Sequence, residues 1–250
     1  MEDPRAVLIT GATGGIGAAL AAAYARPGRK LLLHGRREAR LREVAAACAQ
    51  RGAKTETKVL DLLDTAALVA WVEGIAADVD LAIVNAGVTS DVRAGEGWAE
   101  IDRLLQVNVR AALATAAALV PAMRRRRRGQ IALMSSIAGY VGLPLTPAYC
   151  ASKAALKAYG EALRGALAGD GVEVNVVMPG FVRTPMAERF PGPKRFMLSP
   201  EDAAARIVRG LERNQARIAF PFPSSFAMWA LAALPAPAAA FLVRAFGYGR

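Results

Sequence analysis

Short apolar runs alternate with longer amphipathic stretches over the first half of the chain. That is the pattern of strand–helix–strand units laid on a parallel sheet. The runs predict strands at Ala6–Thr10, Lys30–His34, Thr55–Leu60 and Leu81–Asn85, with helical periodicity between them near Gly15–Arg26, Glu38–Arg51 and Thr65–Ala77. A long helical region follows from about Trp98 to Arg128, and its length predicts a break or bend along the way. A fifth strand fits Gln130–Ser135, a helix Pro147–Ala168 and a sixth strand Val172–Met178. Proline and glycine mark Pro179–Leu198 as a long loop or lid before a helix starting near Pro200. No internal repeat and no linker divides the chain, so a single domain over residues 1–250 is expected.

The pattern changes at the C-terminal end. From Ile218 to Val243 there is no charged residue, and Phe220, Phe222, Phe226, Trp229 and Phe241 add aromatic weight. The length would suit a bilayer span, but Pro221, Pro223, Pro235 and Pro237 interrupt any single helix. Three placements stay open for this apolar extension, at about residues 221–250: a spanning helix, a hairpin resting on a membrane surface, or packing on the protein itself or a second subunit.

Composition narrows the class. A chain of 250 residues that is 54% hydrophobic and 21% charged is no disordered polymer and can bury a sizeable core. The net charge of +11 could draw nucleic acid, anionic lipid or a phosphorylated cofactor. No nucleic-acid-binding motif accompanies it, so a nucleic-acid partner is not expected. Cys48 and Cys150 form neither a disulfide framework nor a metal-spaced cluster, which points to a reducing, cytoplasmic-type compartment and no metal. No signal peptide is evident, because the first apolar stretch meets a glycine turn at Gly11. The run Arg124–Arg128 ends a predicted helix, where its dipole favours cations; contact with anionic lipid or an acidic partner is the alternative.

Candidate chemistry gathers at predicted strand ends. Thr10-Gly11-Ala12-Thr13-Gly14-Gly15-Ile16-Gly17 follows the first strand and opens a helix, a place where backbone N–H groups can meet a pyrophosphate. The spacing Gly11-xxx-Gly15-x-Gly17 differs from the general G-x-G-x-x-G fingerprint, and a plain tight turn is the competing reading. The second strand ends in His34-Gly35-Arg36-Arg37, without the carboxylate that would accept a hydrogen bond from the ribose of NAD. Arg36 and Arg37 are suited to a 2′-phosphate, which favours NADP(H) over NAD(H); two solvated arginines are the alternative. His34, the only histidine, reads as structural. Asp61-Leu62 would meet the adenine edge, and Asn85-Ala86-Gly87 would let the adenosine ribose approach the backbone. Tyr149 and Lys153, four apart, share a helical face, where the cation would lower the phenol's pKa. Ser136 lies thirteen residues earlier at a strand end, its hydroxyl available to a substrate oxygen, and Cys150 reads as a small helical residue.

The glycine spacing, Asn85-Ala86-Gly87, Ser136, Tyr149-xxx-Lys153 and Pro179-Gly180 together resemble the short-chain dehydrogenase/reductase family over roughly residues 5–215. That resemblance implies an α/β fold, a Rossmann-type doubly wound parallel sheet of about seven strands, often assembled as a dimer or tetramer. It implies Tyr149 as general acid or base, Lys153 as the group that lowers its pKa and holds the nicotinamide ribose, and Ser136 as the group that polarises the carbonyl. Asn108 matches the family's fourth catalytic position, supporting a water relay from Lys153. Pro179, Gly180, Val182 and Thr184 match the segment that meets the nicotinamide carboxamide. Val84 and Ala111 depart from the family's usual Asn and Gly but remove no catalytic group.

The activity so implied is hydride transfer between NADP(H) and a carbonyl or alcohol. Val141, Leu143, Phe181, Met186, Phe190 and Phe196 are candidates to wall an apolar pocket, or ordinary loop and core residues. The alternatives are a non-catalytic NADP-binding sensor or scaffold and a lipid-processing reductase at a membrane surface, the latter reached through peripheral contact of the C-terminal segment.

Overall fold

Residues of β1 (Ala6–Ile9) alternate between two apolar layers: Val7 and Ile9 face one, Leu8 the other, and all three are fully buried. A strand apolar on both faces needs helices above and below it, and parallel pairing supplies the crossovers that put them there. The computed structural model describes residues 1, 3–90, 96–190 and 192–248. Position 191 of the predicted loop and 249–250 of the extension lie outside these.

Seven strands form one sheet in the order β3-β2-β1-β4-β5-β6-β7, every pairing parallel. After β1 they are β2 (Lys30–Gly35), β3 (Lys54–Val59), β4 (Leu81–Val84), β5 (Gly129–Met134), β6 (Val172–Pro179) and β7 (Arg217–Phe220). One face is covered by α1 (Gly15–Tyr24), α2 (Glu38–Gln50) and α8 (Pro200–Glu212), the other by α3 (Thr65–Ile75), α5 (Ala111–Arg125) and α6 (Pro147–Ala166). Strand order reverses between β1 and β4, and the crevice at their carboxyl ends is where such sheets receive a nucleotide.

The long helical region is broken as its length required. Helix α4 (Trp98–Leu105) passes through a π turn at Gln106–Arg110 into α5. Trp98–Arg125 is long and apolar enough to cross a membrane by length and composition, yet Ala112, Ala116, Leu119 and Met123 pack on the sheet.

The arginine run stitches elements together: Arg124 pairs with Asp170, Arg127 donates to the Gly169 carbonyl, and Arg126 donates to the carbonyls of Ala76, Ala77 and Val79 beyond α3. Carbonyls left open at a helix end are natural acceptors for such donors.

Strand β7 is the element that the apolar pattern hid. Ile218 and Phe220 belong to the sheet, and the extension begins only after them. Prolines open each of its two helices, α9 (Phe222–Ala232) and α10 (Ala236–Val243). Their inner faces, through Met228, Leu231 and Val243, join Ala138, Leu143 and Cys150 in a third apolar cluster. The extension therefore packs on its own chain along one side.

Candidate active site

The glycine turn is shaped first by its own neighbours. Gly11 has φ +68°, and a Cβ there would lie 2.8 Å from the Ala86 Cα. A Cβ at Gly17 would fall 2.2 Å from the Gly11 carbonyl oxygen, and one at Gly15 would fall 2.6 Å from the Thr184 methyl. Gly14 alone has ordinary room, 3.5 Å from its nearest neighbour. Three of the four glycines thus serve close packing of the turn, and the space in front of Gly14 stays open. Ile16 packs on the core. Helix α1 starts at Gly15 with no side-chain cap, so its first N–H groups remain free for an anion. The residues fit a dinucleotide pyrophosphate.

Buried polar side chains clamp this turn. Thr10 Oγ1 accepts from the N–H groups of Asn85 and Ala86 (3.0 and 3.1 Å), and Asn85 Nδ2 donates to the carbonyls of Thr10 and Gly11. His34 Nδ1 accepts from the Gly11 N–H at 3.3 Å while Nε2 faces the Leu60 carbonyl at 3.0 Å. Burial lowers its pKa, so the ring is a neutral brace, structural as the sequence implied.

Around the turn, Arg37 donates to the Thr13 carbonyl at 2.6 Å, and Arg36 lies 3.9 Å from Asp61 with both side chains half exposed. Leu62 is buried in the core, which leaves only its backbone toward the crevice.

On the other side of the switch point, β5 ends at Met134 and hands the chain to Ser135 and Ser136. Ser135 Oγ donates to the Lys153 carbonyl (2.7 Å), which fixes α6 against the strand end. Ser136 Oγ accepts from the Ala138 N–H and donates to the Pro179 carbonyl at 3.2 Å. Lys153 is buried, its Nζ donates to the Met134 carbonyl at 2.8 Å, and it sits 5.6 Å from the Tyr149 ring centroid. Asn108, fully buried in the π turn, accepts from the Val88 N–H (2.7 Å) and donates to the Val88 carbonyl and Ser152 Oγ. A π turn of this kind is a recurrent way to aim one side chain into a site. A Cβ on Gly87 would lie 3.2 Å from Asn108 Oδ1 and 3.4 Å from Lys153 Nζ, so Gly87 is the window between them.

Burial dominates the titration of the pair. It pushes the Tyr149 phenol up to about 12, with the Ser136 hydroxyl pulling the other way. It pulls Lys153 down to about 8. The expected lowering of the Tyr149 pKa by Lys153 is therefore corrected: desolvation outweighs any attraction, and the ground state is a neutral phenol. Burial raises the Cys150 thiol as well, and its sulfur accepts from the Leu143 N–H, in keeping with a packing role.

The remaining predicted residues fall into place about the crevice. Gly180 N–H donates to the Phe220 carbonyl, Val182 bridges to Leu198, and Thr184 caps the short α7 (Pro185–Glu188). Of the apolar candidates, Val141 and Leu143 border the third cluster, and Phe181 and Phe190 stack toward Tyr248. Phe196 and Met186 are exposed. An open cleft of about 460 Å³ lies along the Pro147, Cys150 and Ala154 side of α6, but neither Ser136, Tyr149 nor Lys153 lines it, so it is not the chemical site.

Sequence reasoning missed Glu96. Its carboxylate accepts from the Ala148 N–H (2.9 Å) and from Ser90 Oγ, and so caps the helix that carries Tyr149 and Lys153. No local pattern announces a cap delivered from about fifty residues away.

The short chain dehydrogenase family model matches residues 5–193. The chain is 34% identical over 222 residues to an uncharacterized oxidoreductase of Myxococcus xanthus, covering 87% of this chain and 88% of that one. It is 34% identical over 228 residues to estradiol 17-beta-dehydrogenase 11 of Homo sapiens, covering 88% of this chain and 76% of that one. A short-chain dehydrogenase from Sphingobium yanoikuyae, solved in complex with NADPH, superposes with a TM-score of 0.78 at 28% identity, covering 85% of this chain and 86% of the other. The chain belongs to the short-chain dehydrogenase/reductase family, a family of oxidoreductases.

Proposed function

We propose that this oxidoreductase transfers a hydride between NADP(H) and a carbonyl or alcohol carbon of a hydrophobic substrate. The observation that carries the reading is the convergence of Ser136, Tyr149, Lys153 and Asn108 beside the uncapped start of α1. NADP(H), when bound, supplies or receives the hydride. Ser136 turns its hydroxyl from the Pro179 carbonyl to the substrate oxygen and holds it. Tyr149, protonated at neutral pH because burial raises it to about 12, gives its proton to that oxygen in reduction and takes it back in oxidation. Lys153, its Nζ 5.6 Å from the Tyr149 ring centroid, resupplies the proton through a bridging hydroxyl or water, and Asn108 with the Val88 backbone continues the relay.

Arg36 and Arg37 flank the open end of β2 and offer two guanidinium groups to a 2′-phosphate. The apolar cluster that Tyr149 borders, built by Val141, Leu143, Met228 and Leu242, supports a substrate with an apolar body.

Calorimetry with NADPH and NADH tests the cofactor half. Arg36→Ala/Arg37→Ala is expected to weaken NADPH binding about ten- to hundredfold and leave NADH nearly unchanged, the scale of one or two lost charge-assisted hydrogen bonds. Tyr149→Phe is expected to cut turnover of apolar ketones about a hundredfold or more while dinucleotide binding persists. A preference for NADH would overturn the cofactor assignment. Binding without turnover of any ketone or aldehyde would make the protein a sensor or scaffold.

A further inference from the structure

We infer that the outer face of the α9–α10 hairpin seats this protein on an anionic lipid bilayer. Phe222, Phe226 and Trp229 follow one another at helical spacing along α9, with ring centroids 5.7 Å apart at each step. They are 74%, 52% and 50% exposed, and Phe241 on α10 is 69% exposed. Leu234 between the two helices and Phe246 beyond α10 are exposed as well, and nothing charged lies between Ile218 and Val243. A contiguous aromatic patch of this kind marks an interaction surface rather than scattered surface residues.

The geometry favours lying on a bilayer over crossing one. Helix α9 has 11 residues and α10 has 8, roughly 16 and 12 Å long at 1.5 Å per residue, against about 30 Å of hydrocarbon. Their inner faces are already committed to the protein through Met228, Leu231 and Val243. Aromatic rings on one side and protein on the other is the arrangement of an interfacial helix pair.

Charge selects the occupant. At the foot of α9, a cavity of about 250 Å³ is lined by Lys157, Arg217, Tyr140, Trp229 and the end of the helix. Lys157 and Arg217 share the single carboxylate of Glu161, so one positive charge is left over beside the apolar face. Arg244, exposed, closes α10 at the other end. A second copy meeting this face would bring the same unpaired cations and no added carboxylate to it, on a chain of net charge +11. Anionic headgroups neutralise them. The inner side of the same helices borders Tyr149, so a hairpin on the bilayer brings the carbonyl site near lipid-dissolved substrates; that consequence rests on the function proposed above, while membrane binding needs no turnover.

Co-sedimentation of the full chain with phosphatidylcholine vesicles, with and without phosphatidylglycerol, tests the inference. Wild type is expected to pellet with the anionic vesicles and to be released in part by salt. Phe226→Ser/Trp229→Ser/Phe241→Ser is expected to stay in the supernatant while keeping the wild-type circular dichroism and unfolding midpoint. Arg217→Gln is expected to weaken binding to anionic vesicles about fivefold, the worth of one cation near such a surface. Failure of folded wild type to pellet, or equal pelleting of the triple variant, would overturn the inference. So would a wild-type dimer in sedimentation velocity that the triple variant converts to monomer, because the face would then belong to a second copy.

Discussion

Tyr149 and Lys153 are displaced in opposite directions by one cause, and the sign has a consequence for stability. Lys153 falls from an ordinary 10.5 to about 8 on folding, so its contribution is present above pH 10.5 and lost as pH drops through 8. Tyr149, raised from 10.0 to about 12, acts in the other sense: its contribution is full below pH 10 and lost on the way to 12. Between pH 8 and 9 the lysine sets the slope; above pH 9 the buried thiols of Cys48 and Cys150, whose pKa values burial raises, act in the opposite sense. Wild type should lose stability as pH falls across that window, by roughly 3 kcal/mol over the lysine's whole range at about 1.4 kcal/mol per pH unit. Lys153→Met should remove the slope and be the more stable protein at pH 7.5, less whatever the Met134 carbonyl loses with its donor. Urea unfolding of wild type and variant at pH 7.5 and 8.8, below the range of the buried thiols, measures both; a variant weaker than wild type at pH 7.5 would show that the hydrogen bond outweighs the desolvation.

At the scale of elements, the glycine turn and helix α3 make a contrast. Gly17 packs on the Gly11 carbonyl with no space for a methyl, whereas a Cβ at Gly74 meets nothing within 4 Å. Gly17→Ala should therefore lower the thermal midpoint and weaken dinucleotide binding together, because the turn must open. Gly74→Ala should stabilise by about 0.5–1 kcal/mol, the helical cost of glycine, with no effect on binding. Thermal unfolding with and without NADPH reads both. The same contrast explains what was legible in the sequence. Most of the strands and the helices between them could be read because they carry their own apolar period, although β3, a polar edge strand, does not, and Ser136, Tyr149 and Lys153 because they sit at fixed distances from those elements. Strand β7 is four residues long and runs straight into an uncharged segment, so its period was drowned. The direction of the Tyr149 shift depends on burial beside residues as distant in the chain as Met228 and Val243, and Glu96 caps α6 from across a loop. Neither leaves a local trace.

Over the whole molecule, the sheet divides the work between its two halves. Strands β1 to β3 and their helices hold the glycine turn proposed for the nucleotide, and β4 to β6 with α6 hold the groups proposed for proton transfer. The extension adds to the second half by placing Met228, Leu231 and Val243 in the apolar cluster that Tyr149 borders, which makes the C-terminal hairpin a neighbour of the proposed site.

The halves touch where the Thr184 methyl rests against Gly15, and Thr184 in turn caps the helix that begins the Pro185–Leu198 stretch. Occupation of the glycine turn is therefore expected to reach the start of the Pro185–Leu198 stretch through Thr184. The contact predicts a compulsory order, with the dinucleotide binding first and leaving last. NADPH alone should slow trypsin at Arg189, Lys194 and Arg195, and a substrate analogue alone should not. Product inhibition by NADP should accordingly be competitive with NADPH and mixed with the ketone.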